Sequence, residues 1–157
     1  MPYPMFRIFR LMLPLLLLLP GGCGKTTQER SRLYNLSPNA SYAGVHPVSS
    51  LSATVYVRDR SSFLEFQTDL RGVVDSLQYN LRIHEADTSE PFGYKPAATI
   101  SLGTYKNNTP VITQIAAMDF NQWVEDFKGY FVVQDPYLGS ADTGKLLFFS
   151  KLGGGWE

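Results

Sequence analysis

Two histidines, one cysteine and fourteen carboxylates are all that the chain offers to metal or nucleophilic chemistry. His84 is followed at once by Glu85 and then by Asp87, and Asp135 comes later. One imidazole with three carboxylates is a weak metal-ligand set. Hard cations accept carboxylates but need six or more oxygens, and copper or zinc needs several imidazoles or thiolates. The same histidine reads more simply as a surface or loop-packing residue, paired with Glu85 or Asp87. His46 precedes Pro47 in a polar stretch and reads as solvated. Glu85 with Asp87, and Glu125 with Asp126, resemble acid–base pairs only in being close along the chain. Glycoside hydrolysis needs a defined separation and one raised pKa, and carboxylates are common on solvated loops. Serine or cysteine nucleophiles need a base beside them, and two histidines give little to work with. No catalytic residue is therefore assigned. Tyr94, Tyr105, Tyr137 and Trp156 fall in predicted loops or the tail, where exposed rings can seat sugars or proteins.

Charge narrows the classes further. Fourteen Lys and Arg balance fourteen Asp and Glu, for a formal net charge of zero. Nucleic-acid binding draws on a basic surface, and a neutral chain has none in bulk. Gly24-Lys25-Thr26 looks like the end of a phosphate-binding loop. The motif needs a glycine five residues before Gly24, and that position is Leu19. No nucleotide is expected.

The first residues carry Arg7 and Arg10 and no acid, then an apolar run from Leu11 to Leu19, then Pro20-Gly21-Gly22-Cys23. A basic start, a short apolar core and small residues form a secretory signal. The run is about half the 20 or so residues a membrane span requires. The lone cysteine after two glycines resembles the lipobox of bacterial lipoproteins, in which the cysteine is lipidated and becomes the new N-terminus. Pro20 stands where that pattern has Leu. Cutting before Cys23 leaves 135 residues, with 12 bases against 14 acids. Several acyl chains give stable anchoring, at about 0.8 kcal/mol per buried methylene. The resemblance implies export and a lipid anchor in the cell envelope, and Gly24 after the cysteine favours the outer membrane.

The elements that must position any site follow from periodicity. Residues 23–50 read as a lipidated cysteine and a polar, flexible tether. From residue 51 the period becomes two. Leu51, Ala53, Val55 and Val57 alternate with polar positions, as do Leu64, Phe66, Thr68 and Leu70, which predicts a hairpin. Leu77, Tyr79, Leu81 and Ile83 predict a third strand. A loop is expected over 85–96, then strands near 98–102 and 110–117. Phe120, Trp123, Val124 and Phe127 have helical spacing, with Asp119 as cap and Gln122 as its capping-box partner. One short helical turn is predicted near 120–127. Phe131-Val-Val133 and Leu146-Leu-Phe-Phe149 read as buried strands, and residues 153–157 as a loose tail. The domain expected over 51–152 is all-β, an antiparallel Greek-key sandwich or barrel of about seven or eight short strands.

Three places within it resemble Cu/Zn superoxide dismutases. Leu70-Arg-Gly72, with the strand Leu81-Arg-Ile-His84-Glu-Ala-Asp87, is similar to their His-x-His-Glu strand. Gly129-Tyr-Phe-Val-Val-Gln134-Asp135, through Gly139, is similar to their Gly-x-x-Val-Val-His-Glu strand. Gly144-Lys145-Leu146 is similar to a Gly-x-Arg-Leu near their end. The chordin-type (CHRD) domain has a His-x-His strand of comparable placement. The resemblance implies a Greek-key sandwich and, in that family, copper held by imidazoles. Here Arg82 stands at the first histidine of the pair, His84 at the second and Gln134 at a third ligand position. The family's disulfide has no counterpart, since Cys23 stands alone.

The sequence therefore leads to an exported, lipid-anchored envelope protein with a non-catalytic binding or structural module and no cofactor. Its partners would be the membrane through Cys23 and an envelope protein or glycan. Two other readings stay open. One is a copper- or zinc-binding or superoxide-handling protein with a reduced site. The other is a glycan-binding lipoprotein using loop aromatics.

Overall fold

A computed structural model describes residues 29–90, 93–116, 118–138 and 145–156. Cys23 and the export signal lie outside them. Eight strands form two antiparallel sheets. They are β1 (Ser31–Leu36), β2 (Ser52–Asp59), β3 (Leu64–Arg71), β4 (Tyr79–Ala86), β5 (Tyr94–Tyr105), β6 (Val111–Ile115), β7 (Gly129–Gln134) and β8 (Leu146–Leu152). The first sheet runs β1-β2-β3-β6 and the second β5-β4-β7-β8. The chain leaves the first sheet after β3, makes the β4–β5 pair, and returns to lay β6 beside β3. This is the all-β antiparallel sandwich expected from the pattern.

The two-residue period puts one side of each strand in the core. Val55, Val57, Leu64, Phe66, Leu81, Ile83, Phe131, Val133 and Phe148 have no exposed surface. Burying each such side chain stabilises by roughly 1.5–3 kcal/mol before entropy is counted. The predicted helical turn is α1 (Phe120–Glu125). Asp119 caps it, accepting from the Asn121 and Gln122 amides at 2.8 and 3.4 Å. Trp123 is fully buried beneath it, edge-on to Phe66 with ring centres 5.0 Å apart. Among the described residues no helix is long and apolar enough to cross a membrane.

Three expectations are corrected. First, the stretch read as a flexible tether is part of the fold from residue 31 on. β1 pairs with β2 from Ser31↔Arg58 to Leu36↔Ala53, and the Tyr34 hydroxyl accepts from Trp123 Nε1 at 3.0 Å. Beyond β1, Asn39 donates from its backbone to Leu147 O at 2.9 Å and from Nδ2 to Leu146 O at 3.0 Å. His46, expected in solvent, is 5% exposed. Second, the tail expected to be loose is packed on α1. The Gly154 and Gly155 amides donate to Trp123 O and Phe127 O at 3.0 and 3.1 Å. Third, β5 begins at Tyr94 inside the predicted loop. Pro96 is tolerated because β5 is an edge strand.

Candidate functional site

The outward side of the second sheet carries the polar positions of β4 and β7. Arg82 pairs across to Val132 of β7 and Ser101 of β5, and His84 pairs with Tyr130 and Thr99. Three breaks in register fall in this sheet, and two of them, besides the one between Leu81 and Arg82, bear on the cavity. On β5, Thr99 faces His84 and Tyr94 faces Ala86, so residues 95–98 bulge opposite Glu85. On β8, Phe148 faces Val133 and Leu146 faces Gln134, so Leu147 is the extra residue. A bulge re-aims neighbouring side chains. The first brings the Tyr94 ring to 4.6 Å from that of His84. The second leaves Leu146 facing Gln134 while Leu147 joins the core. Together they close a cavity of about 170 Å³ lined by Asn80, Arg82, His84, Tyr94, Val132, Gln134 and Leu146.

Among the described residues its lining is polar and carries no acid. His84 Nδ1 lies 3.0 Å from Thr99 Oγ1 and 3.4 Å from Lys95 O. In the tautomer that donates from Nδ1 to the carbonyl, Nε2 keeps a lone pair; in the other, Thr99 Oγ1 donates to Nδ1 and Nε2 carries the proton. Burial lowers the His84 pKa, the Lys95 carbonyl partly opposes this, and the Arg82 charge lowers it further. The ring is neutral at pH 7. Arg82 is exposed. Beside the cavity the aromatic face continues: Tyr94 lies 5.7 Å from Phe149, which stacks on Tyr130 at 4.5 Å, and Trp156 meets Tyr130 at 5.2 Å.

The residues singled out as metal ligands are not brought together. Glu85 accepts from Lys95 Nζ at 2.9 Å. Asp87 accepts from Ser89 in the turn after β4, and those bonds hold its carboxyl below the usual range. Asp135 is 1% exposed and belongs to another cluster. There it accepts from the Tyr42 hydroxyl and, at 2.9 Å, from the Tyr137 amide, with His46 Nε2 3.9 Å away. Among the described residues no three of His, Cys, Asp and Glu are grouped to hold a metal ion. Copper or zinc at the cavity would meet one imidazole nitrogen, two amides and a guanidinium, and that donor set does not fit either ion.

The aromatics expected in loops divide. Tyr94 is 6% exposed and lines the cavity from its edge strand. Tyr105 is 1% exposed, and its hydroxyl donates to Leu70 O at 2.7 Å, so it ties the end of β5 to β3. Only Tyr137 of the three is open, at 58% exposure. Reading the sequence for loop aromatics missed Asn80, Val132 and Leu146. The polar series Asn80-x-Arg82-x-His84 on an otherwise apolar strand was the available signal. No family model, curated protein or solved structure matches the chain.

Proposed function

We propose that this chain is an exported protein of the bacterial cell envelope, lipid-anchored at Cys23 in the outer membrane. Its sandwich acts as a non-catalytic binding module, with the cavity on the outer face of the second sheet as the ligand seat. One observation carries the reading of the face. Two bulges converge on a single cavity and gather a guanidinium, two amides, a neutral imidazole and two aliphatic side chains. Such groups orient and hold a ligand. They lack the paired carboxylates, activated nucleophile or metal-ligand set that turnover requires. Arg82, His84 and Gln134, the positions matched to the dismutase ligands, all line this cavity. That supports a dismutase-like sandwich whose metal position has become a binding position. The anchor rests on the signal and on Cys23.

The face is tested by NMR on the ¹⁵N-labelled full chain in detergent, titrated with neutral sugars, acidic sugars and small anions. Binding at this seat shifts Asn80, Arg82, His84 and Gln134 together. If no ligand moves them, or if copper binds stoichiometrically through His84 and supports superoxide turnover, the reading falls. Cells fed an alkyne-tagged palmitate are expected to label the wild type and not Cys23→Ala. Equal labelling of both would remove the anchor.

A further inference from the structure

We propose that the cavity receives an acidic sugar, a single uronic acid unit of a surface polysaccharide, with its carboxylate on Arg82. The inference rests on the binding-face reading and names the ligand class. Charge comes first. None of the seven described lining residues is acidic. Arg30, Arg58, Arg60 and Arg71 each lie within salt-bridge distance of a carboxylate. Arg82 forms no ion pair among the described residues and is flanked in register by neutral Ser101 and Val132. The one acid close to it on β4, Glu85, is engaged by Lys95. An uncompensated guanidinium facing a polar cavity draws an anion, and its planar fork matches a carboxylate in two parallel hydrogen bonds.

The remaining lining selects among anions. In the tautomer with the proton on Nδ1, His84 Nε2 is an acceptor and takes a proton donor opposite it. A sugar hydroxyl supplies one, whereas a fully ionised phosphate would set oxygen lone pairs against it. Asn80 and Gln134 carry amides that both donate and accept, which suits hydroxyls. Val132 and Leu146, 4% and 2% exposed, form the cavity's buried apolar lining. Size limits the occupant. Seats for drug-sized ligands are roughly 300–1,000 Å³, and this one is about 170 Å³, which suits one ring. Neighbouring units would run over the half-exposed Tyr130, Phe149 and Trp156.

The test titrates the full chain in detergent with D-glucuronate, D-glucose and glucose 6-phosphate, read by NMR and calorimetry, with Arg82→Gln and Arg82→Lys beside the wild type. Glucuronate is expected to bind and to shift the Arg82 and His84 side chains, with glucose about tenfold weaker or more. Arg82→Gln should remove that preference, and Arg82→Lys should fall between. Melting curves report whether the variants fold, which an exposed position favours. Equal affinity for glucose and glucuronate, an unaltered Arg82→Gln, or tighter binding of glucose 6-phosphate would each overturn the proposal. If acidic sugars fail while other ligands still shift this face, the ligand class alone is wrong. If nothing shifts it, the binding-face reading falls as well.

Discussion

Asp135 is a carboxylate with almost no exposed surface, and such a group persists only where donors surround it. The Tyr42 hydroxyl is one of them. Its pKa is pushed up to about 12, first by burial and then by the bond to Asp135, so it stays protonated and donates throughout the physiological range. Tyr42→Phe removes that donor and leaves the carboxylate buried. We expect a loss of about 2 kcal/mol in urea unfolding, and a loss under 0.5 kcal/mol would show that solvent takes the hydroxyl's place. His84 behaves differently. Its folded pKa lies below the ordinary 6.5, mainly through burial. A histidine lowered in this way costs nothing above the unfolded pKa. It destabilises progressively as pH falls below 6.5 towards the folded value, because the unfolded chain takes up the proton more readily. Stability should therefore drop between pH 7.5 and 5, and His84→Gln should flatten the drop. Parallel pH profiles for the two proteins would assign the effect elsewhere. His84 was legible as a polar-side strand residue. Its neighbours were not. Tyr94 reaches it through a bulge, and nothing in the alternation of β4 signals a register break on the strand beside it. Asp135 was offered as a metal ligand because a carboxylate's type can be read from sequence. Its burial against Tyr42 depends on a segment that reads as a linker.

Strands with strong alternation were the easiest elements to foresee. β2, β3 and β4 place an apolar residue at nearly every inward position, and the structure has them within about two residues of the pattern. β1 was missed for a physical reason. Its inward positions are Arg32, Tyr34 and Leu36, and only Leu36 is aliphatic. Tyr34 is held by the Trp123 indole and Arg32 lies over the Tyr34 ring, contacts that no periodicity count registers. The C-terminal glycines were misread in a related way. A run of glycine suggests a mobile end, yet it also permits two backbones to approach closely. A Cβ on Gly154 would lie 1.5 Å from Val124 O, and one on Gly155 would lie 2.4 Å from Asp126 O. The tail therefore acts as a packing element for α1, a helix of six residues that is marginal on its own. Gly154→Ala should force the tail off α1 and cost about 2–3 kcal/mol in thermal or urea unfolding. It should also raise the exposure of Trp123 to a fluorescence quencher. Wild-type stability with unchanged quenching would mean that the tail contributes nothing to the fold.

At the scale of the whole molecule, the order of strand ends sets how the sandwich would stand on a membrane. β1 enters at Ser31 beside Arg58, at the end that holds the β2–β3 turn. Arg30 fixes this entry, donating through Nε to Asp59 at 2.8 Å and through Nη1 to Asn121 at 2.6 Å. The β5–β6 turn lies at the opposite end, where Asn107 and Asn108 bond to Asp75. If Cys23 is lipidated, the seven residues separating it from Ser31, eight Cα–Cα steps, reach at most about 28 Å. The full-length tether suggested by composition would have let the domain swing freely. With a lipid on Cys23, incorporating β1 into the sheet would shorten the tether and turn the β2–β3 end towards the membrane. The eight residues of β2 span about 26 Å between the two ends. A dye at Ser62→Cys, on the exposed β2–β3 turn, should therefore transfer energy to a headgroup acceptor far more strongly than one at Asn107→Cys. Inserting a long Gly-Ser segment between Cys23 and Glu29 should reduce that difference. Equal transfer from both positions without the insertion would show that the entry of β1 does not orient the domain, and the short-tether arrangement would be wrong.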